Sequence, residues 1–161
     1  MSVPDHRGGR ADEYDLEEGR SVFSRGLDVL VPGFLARWAL SVRLETDKTE
    51  YGPNEPVEIR ITIANRLPVP IEAPLTNQRV WGWTVDGTLE AIDEPLYTPD
   101  RPRTLALRAR EVRTFDRRWD RQIKRTGSPP RWEPVPPGTY TISAFVSTAP
   151  PRTDSKTVTL R

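Results

Sequence analysis

Covalent chemistry in a folded chain needs a nucleophile with a base, a metal set or a tuned acid–base pair. The residues that could supply one are nearly missing here. There is no cysteine, and the one histidine is His6. That removes thiolate nucleophiles, hydroxyl–imidazole dyads and the usual zinc sets. Carboxylates gather at Asp86, Glu90, Asp93 and Glu94. They lack the alternating ligand spacing of a dedicated calcium loop, so they read as a solvated acidic turn. No metal, no cofactor and no enzymatic activity are expected.

What remains is recognition chemistry, carried by tryptophan and arginine. Eleven basic and three acidic residues lie between Arg101 and Arg131, a local charge of +8 against −7 for the rest of the chain. The tryptophans are Trp38, Trp81, Trp83, Trp119 and Trp132. Trp81 and Trp83 stand two apart on one strand face, so they are both in or both out. Burial in the core is the preferred reading for Trp83, while an outward pair would form a platform with Arg79. Trp119 lies among Arg117, Arg118 and Arg121, where guanidinium–indole stacking is expected. Trp132 occupies a proline-rich stretch. The candidate partner-binding residues are Arg79, Trp81, Arg101, Arg103, Arg117, Trp119, Arg121, Arg125, Arg131 and Trp132. A protein partner ranks first. Nucleic acid ranks lower, because the acidic remainder and the missing reading motif oppose it. The plain alternative is an edge strand kept unpaired by its charge.

These residues need a scaffold, and the alternation of apolar and polar residues supplies one. Tyr51-Gly52-Pro53-Asn54-Glu55-Pro56 is a turn that opens Val57 to Asn65, with Val57, Ile59, Ile61 and Ile63 inward. Pro136-Pro137-Gly138 opens a second alternating run, Thr139 to Val146. Leu40, Val42 and Leu44 point inward from a first strand, and Gln78 to Asp86 carries the tryptophan pair. The spacing predicts a strand at 69–73, a hairpin return at 88–92, one long or bulged strand region over 104–119, a long loop at 120–137 and a last strand at 156–160. Turn signals roughly every ten residues predict an all-β, immunoglobulin-like antiparallel β-sandwich of about 7–9 strands. It spans residues 38–161. Residues 1–37 form an N-terminal extension, disordered at first and then short helical or irregular. In it, Phe34-Leu35-Ala36-Arg37-Trp38 predicts one short turn whose apolar face caps an end of the domain, a membrane-surface foot being the lesser reading.

These landmarks resemble, in order, the BsuPI-type intracellular proteinase inhibitor domain or an uncharacterised archaeal relative of it. The matching stretches are Val57–Asn65, Gln78–Gly87, Leu96-Tyr97-Thr98, Arg118-Trp119-Asp120 and Pro136–Thr141, within about residues 40–148. The resemblance implies an immunoglobulin-like fold and inhibition of a protease by a presented loop. The loops at 94–103 and 120–137 are the candidates, both stiffened by proline. Residues 1–20 are acidic and polar and do not read as a secretory leader, and no apolar run reaches membrane-span length. A cytoplasmic setting is the default expectation.

Overall fold

The computed structural model describes residues 31–76, 79–89 and 103–161. Its one described helix, α1, covers Gly33–Ala39. Twelve strands follow among the described residues: β1 Leu40–Thr46, β2 Glu50–Tyr51, β3 Val57–Asn65, β4 Ile71–Leu75, β5 Trp81–Val85, β6 Thr88–Leu89, β7 Arg103–Leu107, β8 Val112–Trp119, β9 Gln122–Arg125, β10 Arg131–Pro134, β11 Gly138–Val146 and β12 Arg152–Leu160. One sheet has the order β1-β3-β8 and the other β2-β12-β11-β5-β6, with β4-β7 and β10-β9 as separate two-stranded ribbons. Every pairing is antiparallel except β12 with β2. The fold is an all-β, immunoglobulin-like sandwich. The strands beyond the expected number are the two-residue β2, the second of the two strands β7 and β8 where one was expected, and the β9–β10 ribbon, while β6 is a shortened form of the expected hairpin return.

Strand parity builds the core. On β3, Val57, Ile59, Ile61 and Ile63 are buried while Glu58 and Arg60 face solvent. The facing sheet contributes Ile142, Ala144 and Val146 from β11, Val158 and Leu160 from β12, and Trp81, Trp83 and Val85 from β5. Burial of side chains this size stabilises by about 1.5–3 kcal/mol each before ordering costs. The Asp154 carboxylate accepts a hydrogen bond from the Leu44 amide at 2.8 Å, joining β1 to β12. Asp86 and Gly87 both take positive φ, 46° and 83°, closing β5 onto β6 in the primed geometry that suits a tight hairpin.

The turn before β3 is tied by backbone and side chain together. Glu55 N–H donates to the Gly52 carbonyl at 3.2 Å, and the Glu55 carboxylate accepts from Gly52 N–H at 2.9 Å. Tyr51 is buried beside it, and its hydroxyl donates to Asp47 at 2.6 Å. Burial first, then the Asp47 carboxylate, push the Tyr51 phenol up to about 12.

Three expectations change. The arginine-rich region over 104–119 is two strands in different sheets. β7 pairs with β4 and β8 with β3, and the chain turns between them at Arg110, which takes a positive φ of 56°. The loop at 120–137 is largely the β9–β10 hairpin, in register from Arg131↔Arg125 to Pro134↔Gln122. The proline-bearing strand begins two residues later, at Ile71. The first 30 residues and most of the 94–103 loop lie outside the described residues.

The register also places the two ends. Leu40 is opposite Asn65, and Val57 is opposite Trp119. α1 therefore sits at one end of β3 and the β9–β10 hairpin at the other, about 27 Å apart at the rise of an extended strand.

Candidate functional site

The arginine-rich surface is less available than its composition suggests. β8 pairs on one side only, with β3, and its outward Asp116 and Arg118 both meet groups of opposite charge. Arg60 Nε donates to Asp116 at 2.8 Å, and Arg118 Nε to Asp120 at 2.7 Å with Glu58 at 3.9 Å. The guanidinium bonded to Asp116 holds its carboxyl below the ordinary value. Arg113 and Glu111 form a half-buried pair at 2.8 Å. Burial alone would raise the Glu111 carboxyl, but bonds from the Arg108 amide and Arg113 outweigh it and hold it low. Exposed pairs of this kind contribute about 0–1 kcal/mol each. Their larger effect is to cancel the charge that would attract a polyanion.

Three of the expected surface residues belong to the interior. Phe115 faces the core, so β8 parity sends Arg117 and Trp119 the same way. Trp81 is buried and stacks on Phe115 with ring centroids 4.4 Å apart, and Arg117 covers it at 5.0 Å. Trp119 is buried, packs edge-on to Tyr140 at 5.6 Å and donates from Nε1 to the Gln122 carbonyl at 2.9 Å. Its expected arginine stack is not formed. Arg121 is buried too: its guanidinium donates to the Gly52 carbonyl at 2.6 Å and the Arg161 carbonyl at 3.1 Å, clasping the end of β12 to the turn before β3. Trp81 and Trp83 are both core residues. Arg79 and Arg103 are half-buried and engaged, and Arg101 lies outside the described residues.

The hairpin keeps the rest together. Every residue of β10 is exposed, and Trp132 is 55 % accessible opposite Lys124. Arg131 stands opposite Arg125, which also reaches Glu133 at 3.5 Å. Of the acidic turn, Asp86 is used within the fold: its carboxylate accepts from Thr141 N–H at 2.7 Å. Glu90, Asp93 and Glu94 lie outside the described residues, and no cluster able to hold a metal occurs among the described ones.

The other end of the sandwich holds a surface that the arginine pattern did not single out. A seven-residue helix is too short to persist alone, so tertiary contacts must hold α1. Ala36 and Ala39 are buried, and Gly33 lies so close to Pro74 that a Cβ would come within 3.1 Å of its Cγ. Arginines fix the rest. Arg37 donates to the Ala149 carbonyl at 2.7 Å, Arg152 to the Arg37 carbonyl at 2.7 Å and Arg66 to the Trp38 carbonyl at 3.1 Å. Arg110 donates to the Arg66 carbonyl. Beneath them the buried Asn65 donates to the carbonyls of Val69 and Arg108, both at 2.8 Å, and accepts from Leu67 N–H at 2.9 Å.

The outward face of this held helix is apolar. Phe34 and Trp38 are each 60 % accessible and Leu35 is 44 %. Arg152 covers one face of the Trp38 ring at 5.0 Å. A groove of about 570 Å³ runs beside the helix between Val31, Pro32, Leu35, Trp38 and Leu67, with Arg66 at its rim. The i, i+4 spacing of Phe34 and Trp38 was the sequence signal for it. The spacing marks a shared helix face, but it does not say whether that face turns inward or outward.

No helix among the described residues is long and apolar enough to cross a membrane. Among solved structures, the chain is similar to the CARDB domain of PF1109 from Pyrococcus furiosus, with a TM-score of 0.46 and 16 % identity over 76 % of this chain and 94 % of that one. A crystal structure of that domain in complex with di-metal ions gives 0.44 and 16 %, over 76 % and 87 %. A β-glucosidase from Listeria innocua gives 0.43 and 15 %, over 76 % of this chain but 16 % of the enzyme. Likeness at this level transfers neither ligand nor activity. No curated protein matches the chain. A family model described as "Family of unknown function (DUF7974)" matches residues 28–161.

Proposed function

Because the chain belongs to the DUF7974 family, whose function is unknown, we propose its role from its own surfaces: a non-catalytic protein-binding module that engages its partner through the α1 end. The observation that carries this reading is the outward face of Phe34, Leu35 and Trp38 on a helix already held in place. A large apolar side chain left in water on a fixed element has paid its ordering cost before any partner arrives. Tryptophan beside arginine is also the composition of interface hot spots.

A comparative pull-down tests it. Phe34→Ser and Trp38→Ala should each weaken capture of the wild-type partner by about tenfold or more, with unfolding midpoints unchanged. Trp132→Ala should leave capture intact. Retention of the partner by both α1 variants sinks the reading.

A second reading rests on the hairpin: protease inhibition by a presented segment. It is supported by the full exposure of β10 and by Arg125 and Arg131 flanking the Gly127–Pro130 tip. An arginine offered there suits a trypsin-like pocket. Incubation with such a protease should lower its activity while the hairpin stays intact. Rapid cleavage after Arg125 or Arg131 with full protease activity rejects inhibition. Polyanion binding is the weakest reading, given the carboxylates already paired along β8 and in the hairpin.

A further inference from the structure

The arginines of the α1 end differ from most of those on the outer strand faces in what they bond, while the buried Arg121 at the far end shares their use of carbonyls. Arg43, Arg60, Arg113, Arg118, Arg125 and Arg161 each reach a carboxylate. Arg37, Arg66, Arg110 and Arg152 donate to backbone carbonyls instead. A carbonyl carries a partial charge only, so among the described residues these four guanidiniums are positioned by bonds that do not neutralise them. A guanidinium has five N–H donors, which leaves each of the four with donors to spare. The nearby Glu111 carboxylate is already taken by Arg113 and the Arg108 amide. Arg66 lines the apolar groove, Arg152 covers the exposed Trp38 beside it, and Arg110 and Arg37 are linked to them through the Arg66 and Arg37 carbonyls.

Resting on the protein-binding reading above, we propose that the partner segment is acidic: a short peptide stretch with one or two aromatic or aliphatic side chains that enter the groove beside α1, and flanking carboxylates that meet Arg37, Arg66, Arg110 and Arg152. A guanidinium donates two parallel hydrogen bonds side-on to a carboxylate, the anion that a peptide carries. The concavity separates a peptide from a lipid surface. A bilayer would meet the protruding Phe34 and Trp38 but leave the groove of about 570 Å³ beside the helix unfilled, whereas two side chains inserted from a peptide occupy much of it.

The probe is a labelled peptide, Glu-Asp-Trp-Glu-Leu-Asp-Glu, followed by fluorescence anisotropy. The host is the full chain with Asp12, Glu13, Asp15, Glu17 and Glu18 changed to Asn or Gln, because that stretch of the chain is itself acidic with Tyr14 and Leu16 between the charges and would compete. The acidic peptide should bind, and binding should weaken as salt is raised. A peptide with Asn and Gln for its acids should bind about tenfold more weakly, and a Trp38→Ala host should bind the acidic one similarly weakly. Changing the peptide's charge leaves the protein untouched, so misfolding cannot imitate the result. If the neutral peptide binds as tightly, the acidic partner is overturned while the α1 site stands. Equal binding by the Trp38→Ala host, or no binding at all, overturns the proposal. So does co-sedimentation with phosphatidylglycerol vesicles in place of peptide binding.

Discussion

Trp81→Ala will lower the unfolding free energy by about 3–5 kcal/mol, the cost of emptying a large aromatic site in a packed core. The indole is stacked on Phe115 at 4.4 Å and roofed by Arg117 at 5.0 Å. Its removal uncovers an aliphatic stem and an aromatic face together, and neither can close the space without moving β5 or β8. Trp81→Phe keeps a ring against Phe115 and should lose much less. Denaturant unfolding of both variants is the measurement. A loss below about 1 kcal/mol for the alanine variant would return Trp81 to the surface role that its neighbour Arg79 suggests in the sequence. Trp132→Ala on the exposed hairpin is the control, expected within about 0.5 kcal/mol of the parent.

Asn65→Leu will cost about 3 kcal/mol, although leucine is nearly isosteric and more apolar. Asn65 is buried and uses both amide hydrogens and its oxygen, on Val69, Arg108 and Leu67. Leucine takes the side-chain partner from the Val69 carbonyl and the Leu67 N–H and leaves the Arg108 carbonyl only the Glu111 N–H at 3.2 Å, and unmade part-buried bonds cost more than made ones return. Asn65→Asp should be no better. It keeps the bond from Leu67 but turns two donations into repulsions between oxygens. Because Arg66 and Leu67 border the groove, partner binding should fall together with stability in both variants. Unfolding midpoints and binding measured on the same samples decide. A stable Asn65→Leu protein would mean that water or a shifted turn satisfies those groups.

Much of the scaffold is readable in the chain, for a physical reason. β3 and β11 each bury one face, so period-two alternation is written into them residue by residue. The same parity, counted from Phe115, already points Arg117 and Trp119 inward. The local density of arginine drew attention to composition, whereas direction along the strand decides exposure. The division between β7 and β8 is less visible because Arg110, rather than a glycine or proline, takes the positive φ of the turn. The β9–β10 hairpin is hidden for the opposite reason: with every residue of β10 exposed, there is no apolar alternation to detect. The α1 end lies beyond the reach of pattern altogether. Its helix is seven residues long and held by carbonyls from distant segments, and only the folded chain brings those together.

The parallel contact of β2 with β12 has a mechanical consequence. β1 leads away from the α1 end into β2, and β12 runs the same way to finish at the opposite end. A pull applied between Val31 and Arg161 therefore travels along the strands rather than across them. The bonds from Thr159 N–H to the Thr49 carbonyl and from Arg161 N–H to the Tyr51 carbonyl lie transverse to that load. They are strained together in shear instead of unzipping one at a time, and the Arg121 clasp across Gly52 and Arg161 loads in parallel with them. Tension between the two ends loads this small latch together with the β11–β12 and β1–β3 ladders, while the exposed apolar face of α1 stands at the point where force enters.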